Sequence, residues 1–386
     1  MDVSFLGTGS GYPTPCRGAS AIALRYEGNV WLIDCGEGTQ TQIMKLKCIR
    51  PGNMTKIFIT HLHGDHMFGL PGLLCTISMA HKPPDGITLS DDLGSDGQAT
   101  NNSKTIEIFG PVGLRRFIRE ALNLSRSALS FQYVVHELVP EKDQYNAAKS
   151  GDPSWDKWNP DHLATGPLHP SELGSGRNIF LDKAQQQWHV CMTDKITVIA
   201  GQLKHRIPSF GYVFIEGSKP GKLNSEKLIE AGVPKGPLFG RIKNGETVTL
   251  DDGRVLNPAH FIGRPQPGRK VAVLQDSCNS WFMKNMCYKC DMLIHEATNE
   301  NSHQEQCVKN GHSTPGMAAS FASATESRML VLTHVSQRYK HHITHEVGDN
   351  DVTTDVLEKE AKDIFTGPVA IAYDGLVVNV MRKADP

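Results

Sequence analysis

Between Thr60 and His66 the chain reads Thr-His-Leu-His-Gly-Asp-His, with three imidazoles and one carboxylate inside six residues. The run before it, Lys56–Thr60, is apolar and β-branched and predicts a buried strand. The run after it, Met67-Phe68-Gly69-Leu70-Pro71-Gly72-Leu73-Leu74, predicts the start of a helix. The ligand-type residues therefore fall on a turn at a strand's end. In an extended turn His61 and His63 face the same side, because side chains alternate with period two. Asp65 and His66 then approach from the helix side. Four donors exceed what one tetrahedral zinc takes from a single segment, so the turn predicts a two-metal centre completed from elsewhere. The competing reading, a histidine-rich surface turn, does not account for the strand and glycine context.

The rest of the composition narrows the class of protein. A chain of 386 residues with 39% hydrophobic content can bury one large core or two small ones. The net charge of -1 and a pI near 7.0 advertise no global affinity for nucleic acid, so any such contact must come from local basic surface. Nine cysteines scattered through a long chain do not form a secreted disulfide framework. No apolar run reaches membrane-span length, and the start, Met1-Asp2-Val3-Ser4-Phe5-Leu6-Gly7, enters a strand without a basic leader. These features predict a reducing compartment, cytosol or nucleus.

Along the chain, apolar strands repeatedly end on a residue able to bind a metal or a proton. Val30–Ile33 ends at Asp34, which reads equally as an acceptor for a ligand histidine's N–H and as a helix N-cap. Lys195–Leu203 runs to His205, Lys270–Leu274 to Asp276, Met292–Ile294 to His295-Glu296, and Arg328–Leu332 to His334. Sites collect at strand ends in this way in α/β sheets. The loop Gly7–Pro15 lacks a P-loop lysine, and Arg17 follows in a position expected to face the metal site. Pro83–Lys104 and Pro140–Gly176 read as irregular insertions. Lys219–Arg264 turns rich in Gly, Pro and Lys and reads as an excursion from the core. His136, between Val135 and Glu137, reads as a packing or surface histidine, and Cys287-x-x-Cys290 lacks a partner pair for structural zinc.

Together, His61-Leu62-His63-Gly64-Asp65-His66, Phe5-Leu6-Gly7-Thr8-Gly9, His295-Glu296-Ala297-Thr298, His312-Ser313-Thr314 and Ala372-Tyr373-Asp374 resemble the metallo-β-lactamase superfamily and, within it, the short-form ribonuclease Z family of tRNA 3′-processing endonucleases. The resemblance covers nearly the whole chain apart from the two insertions. It implies an αββα sandwich with a protruding basic arm: core from residues 1–218, arm 219–266, core again from 267–386. It implies two Zn2+ per subunit, the first on His61, His63 and His205, the second on Asp65, His66 and His334, with Asp276 bridging. An anionic bridge reduces repulsion between the cations. It further implies Asp65 as acceptor of the nucleophile's proton, His312 oriented by Glu296 as general acid, a precursor tRNA substrate and a homodimer. Arg17, Lys222, Lys235, Arg241, Lys243 and Arg338 are the expected substrate contacts. Two positions depart from the family pattern, Gln275 where glycine is common and Gly18 where bacterial members carry asparagine. Two other readings stand beside this one: a two-zinc hydrolase of a small ester or phosphodiester, and a non-catalytic RNA-binding dimer partner.

Overall fold

The computed structural model describes residues 1–47, 49–80, 104–145 and 166–382. The insertion expected at Pro83–Lys104 lies outside these residues except for its last member, and the central part of the one expected at Pro140–Gly176 does as well. Described strands are β1 (Asp2–Gly7), β2 (Ala21–Tyr26), β3 (Asn29–Ile33), β4 (Met54–Phe58), β5 (Thr105–Pro111), β6 (Gln132–Leu138), β7 (Asn178–Ile179), β8 (Trp188–Met192), β9 (Ile196–Leu203), β10 (Ser209–Glu216), β11 (Val248–Thr249), β12 (Val255–Leu256), β13 (Lys270–Leu274), β14 (Met292–Glu296), β15 (Leu330–Thr333), β16 (Val369–Ile371) and β17 (Val377–Asn379). One sheet runs β17-β1-β2-β3-β4-β5-β6-β7 and the second runs β16-β15-β14-β13-β10-β9-β8.

Period two in β3–β6 explains the layers. In register across the first sheet, Leu32, Ile57, Ile108 and Val135 form one row, and Ile33, Phe58, Phe109 and His136 form the next. The first row joins a core with Ile43 of α1 (Thr39–Lys45), Leu73, Leu74 and Ile77 of α3 (Leu70–Ala80), and Ile118 of α4 (Leu114–Leu124). The second row faces the other sheet: Phe58 meets Tyr212 at 5.4 Å and Phe214 at 5.2 Å between ring centroids. Each such fully buried side chain contributes roughly 1.5–3 kcal/mol of transfer free energy. Helices Pro315–Ala324 and Asp355–Lys362 pack on the second sheet. His136 stacks on Phe109 at 4.8 Å and accepts a hydrogen bond from the Arg177 N–H, so it belongs to the aromatic layer between the sheets.

The first sheet is mixed rather than all parallel, because β1–β3 are antiparallel neighbours. The pairs that matter for the site are parallel: β3 with β4, and β13, β14 and β15 together. Parallel neighbours end on the same edge, which brings the residues after β3, β4, β13 and β15 to one rim.

The chain divides into two compact units. The larger comprises Met1–Met192, Val198–Phe214 and Lys270–Val380. The smaller includes Thr193–Thr197 and Ile215–Arg269. It has its own small core of Leu228, Val233, Ile242, Val248 and Leu256, built from helices Ser225–Glu230 and Pro237–Lys243 and the β11–β12 hairpin. No helix among the described residues is long and apolar enough to cross a membrane.

Candidate metal centre

His61 and His63 follow β4, and Asp65 and His66 lie on α2 (Gly64–Met67), a single turn whose first residue is glycine. His61 Nε2 and His205 Nε2 each stand 3.1 Å from His63 Nδ1. Asp276 Oδ2 lies 3.6 Å from His61 Nε2 and 3.7 Å from His205 Nε2. The other Asp276 oxygen, Oδ1, lies 3.1 Å from both His66 Nε2 and His334 Nε2. Asp65 Oδ2 stands 3.3 Å from His334 Nε2 and 3.5 Å from His66 Nε2. The donor atoms thus fall into two groups, with one carboxylate oxygen of Asp276 turned to each.

These residues fit a metal pair. Ligands about 2.0–2.1 Å from a tetrahedral zinc stand about 3.3 Å from one another, and the separations here match that edge. Asp276 Oδ1 is buried and accepts no hydrogen bond from the described residues. Burial pushes the His61 pKa well down, and His63 and His205 down to about 4, so these rings are neutral, the form in which imidazole binds a metal. Burial pushes Asp65 and Asp276 up, but His66 and His334 outweigh it and hold both carboxyls well below the usual range.

The second nitrogen of each Nε2-donating ring is tied down. His61 Nδ1 lies 3.1 Å from Thr60 Oγ1, which in turn donates to Asp34. His66 Nδ1 donates to Asp34 Oδ2 at 2.8 Å. His205 Nδ1 donates to the Gly311 carbonyl at 2.7 Å, and His334 Nδ1 lies 3.1 Å from Thr298 Oγ1. A proton held on Nδ1 leaves the Nε2 lone pair for a metal and fixes the ring's direction. Asp34 is fully buried with φ of 58°, and the N-cap of α1 is Gly38, so of the two readings of Asp34 only the histidine acceptor describes this structure.

Glu296, fully buried at the end of β14, accepts from five donors. Its Oε1 takes the Ser277 and Ser313 N–H groups and His312 Nδ1 at 3.2 Å; its Oε2 takes the Thr298 N–H and hydroxyl. It therefore braces His312 directly and His334 through Thr298. Burial lowers the His312 pKa, but Glu296 and then Asp276 outweigh it and raise it to about 9.

The remaining expected contacts are dispersed. Arg17 does not face the metal site. It is 2% exposed and donates through Nη1 to Thr8 Oγ1 and the Ala372 carbonyl, with the Asp374 charge acting on it. Arg338 is exposed and lies 2.9 Å from His303 Nε2. Lys222, Lys235, Arg241 and Lys243 are exposed on the smaller unit, with Arg241 paired to Glu246 at 2.9 Å. Gln275 is buried and its carboxamide has no partner among the described residues, while the neighbouring Asp276 keeps its position between the two groups. Cys287 and Cys290 are buried free thiols. The bracing by Thr60 and Thr298 and by the Gly311 carbonyl was not anticipated. The two threonines flank motif residues, but a carbonyl contact leaves no trace in side-chain identity. Gly11, in the early glycine loop, donates its N–H to Asp65 Oδ2 at 2.8 Å.

The family described as Anti-Pycsar protein Apyc1 matches residues 1–96. Zinc phosphodiesterase ELAC protein 1 of Bos taurus is 44% identical over 388 residues, 99% of each chain. The crystal structure of human tRNase Z, short form (ELAC1), superposes with a TM-score of 0.64 at 36% identity, covering 99% of this chain and 100% of that one. The metallo-β-lactamase fold protein YhfI of Bacillus subtilis shares the fold, with a TM-score of 0.51 at 15% identity over 98% of each chain. The two-sheet architecture, the paired His/Asp groups and full-length identity at this level agree: the chain has the metallo-β-lactamase fold and belongs to the ELAC protein 1 family of short-form tRNase Z.

Proposed function

We infer that the chain is a zinc-dependent endoribonuclease that removes the 3′ trailer from precursor tRNA by hydrolysing a phosphodiester. The products are a tRNA 3′-hydroxyl and a trailer with a 5′-phosphate. The observation that carries this reading is the pair of ligand groups sharing Asp276, on a cavity that His312 also lines, in a chain of this family. His61, His63, His205 and Asp276 would hold one zinc, and Asp65, His66, His334 and Asp276 a second. Bound zinc lowers the pKa of water and offsets charge on phosphoryl oxygens.

The chain's own residues supply the rest. Asp65, steadied by the Gly11 N–H, accepts the proton of the attacking water. The leaving ribose 3′-oxygen is a poor leaving group and needs a proton. His312 supplies it, since Glu296 occupies its Nδ1 side and the ring lines the cavity. The exposed lysines of the smaller unit contact the tRNA backbone as sequence-independent positioners, and the active species is a homodimer.

Cleavage of a precursor tRNA by wild-type and Asp65→Ala protein, with both new ends mapped, tests the reading. The variant is expected to lose at least about a hundredfold in rate. Undiminished cleavage, or a wild-type protein that hydrolyses small diesters but leaves precursor tRNA intact, overturns it.

A further inference from the structure

The cavity above the ligands measures about 460 Å³, and its outer wall contains Tyr12, Pro13, Glu37, Phe68 and Arg206. Two large rings on this wall are strongly exposed, Tyr12 at 63% and Phe68 at 61%. Rings this open beside a reaction cavity offer flat apolar faces that a ligand can cover.

Neither ring hangs from a slack segment. Tyr12 follows Gly11, whose N–H is donated to Asp65, and Gln337 Nε2 donates to the Tyr12 carbonyl at 3.0 Å. Phe68 ends the ligand-bearing turn. Its ring lies across Gly64, where an added Cβ would fall 2.3 Å from a ring carbon, and it stacks on Phe117 at 6.2 Å and 27°. Both rings are thereby mounted on the segments that hold Asp65. Arg206 follows His205, is exposed and has no carboxylate partner among the described residues. Its side-chain stem runs beside Gly311, and its charge bears on His63 and His312, so the guanidinium belongs to the same cavity.

We propose that this rim is a nucleotide-gripping subsite, in which Tyr12 and Phe68 stack on the bases either side of the scissile phosphate and Arg206 binds an adjoining phosphate. The proposal rests on the ribonuclease reading and deepens it. Its occupant is a single-stranded RNA segment, because bases in a stem are already stacked and cannot be splayed onto a protein ring. Stacking on aromatic rings tolerates any base, which suits cleavage of trailers that differ in sequence. Glu37 also lines the cavity, and its carboxylate disfavours a phosphate beside it. The subsite therefore selects the place where the 3′ strand leaves the acceptor stem.

The test pairs ring variants with substrates lacking a base. Wild type, Tyr12→Leu, Phe68→Leu and the double variant would be compared on precursor tRNA and on the same RNA with abasic nucleotides flanking the cut. Wild type is expected to lose about tenfold or more in kcat/KM for each missing base, and the double variant is expected to show little difference between the two substrates. A wild type indifferent to the missing bases, or a double variant that still distinguishes them, overturns the clamp. Binding of a single-stranded hexaribonucleotide, followed by fluorescence anisotropy across salt concentrations, supplies a readout independent of cleavage. The leucine variants should bind about tenfold more weakly per ring, and Arg206→Gln should flatten the salt slope by about 0.7. Unchanged affinities overturn the proposal even if precursor tRNA is cleaved. Weakened affinities alongside a wild type that leaves precursor tRNA intact support the subsite and overturn only the nuclease reading. Zinc content and melting temperature serve as the check that the variants fold.

Discussion

His61 and Lys222 illustrate two ways of presenting charge chemistry to a substrate. The His61 ring is fully buried, with one nitrogen tied through Thr60 to Asp34 and the other aimed among His63, His66 and Asp276. Lys222 stands exposed on a unit whose own core comprises Leu228, Val233, Ile242, Val248 and Leu256. Around the metal centre His61, His66, His205, His334 and Asp65 each have a backing partner outside the ligand set. In the smaller unit Arg241–Glu246 and Arg254–Asp252 are exposed ion pairs, which add little to stability, and the buried pair Arg269–Glu216 lies apart from the exposed lysines. Lys219, Lys222, Lys227, Lys235, Lys243 and Arg264 have no carboxylate partner among the described residues. The contrast fits the proposed division of tasks. Catalysis needs atoms held within fractions of an ångström, whereas a phosphate contact needs only a mobile positive charge within reach.

Two glycines probe that contrast most severely. Gly311 has φ of 82°, and a Cβ there would lie 2.6 Å from His205 Nδ1. Gly311→Ala should displace the ring and weaken zinc binding about 10–100-fold, read by competition with a chelator. Gly245, in the smaller unit, has φ of 85° but meets nothing within 4 Å. Gly245→Ala should cost only about 1–2 kcal/mol of local strain and leave zinc affinity as it was. Equal effects at the two sites would erase the distinction between a braced and a loosely built region.

A smaller effect is expected from the lysines. The combined change of Lys222, Lys235 and Lys243 to Ala should raise the KM for precursor tRNA about tenfold near physiological salt. It should also flatten the salt dependence of binding by up to about 2.7 in slope, with kcat largely retained. A fall in kcat with KM unchanged would argue that these residues act on the chemistry and not on docking.

The smallest effect separates a histidine that packs from those that ligate. Burial, with Arg177, Arg115 and Lys56 nearby, lowers His136 to about 4. The folded state therefore resists protonation that the unfolded chain accepts below about 6.5. Stability should fall as pH drops from about 6.5 to about 4; at pH 5 the proton linkage of His136 amounts to about 2 kcal/mol, which solvent screening of the ring reduces to about 1 kcal/mol. Denaturant melts of wild type and His136→Gln at pH 7.5 and pH 5 check this. An identical acid loss in both proteins would remove His136 as its source.

Much of the site was legible because its chemistry is carried by rare residue types at strand ends. His205, Asp276, Glu296 and His334 each follow or end an apolar run, and that pattern is visible without coordinates. The turn from Thr60 to His66 alone carries four donors, more than one tetrahedral ion takes from a single segment. Arg17 was misread because an arginine in a glycine-rich loop gives no sign of whether it faces outward or folds beneath the sheet. That choice depends on Thr8 and Ala372, which meet it only in the folded chain.

The residue sequence by itself offered ligand-type residues at strand ends, the strand-and-turn frame and the separate texture of Lys219–Arg264, since residue chemistry, period-two burial and composition are local properties. Only the tertiary structure decided how Asp276 divides its oxygens between two groups, that Asp34 braces a histidine instead of capping a helix, that Thr298 braces another, and that Tyr12, Phe68 and Arg206 share one cavity wall. Those relations join residues far apart in the chain, and their geometry is fixed by parallel strand pairing and sheet packing, which no local window of sequence contains.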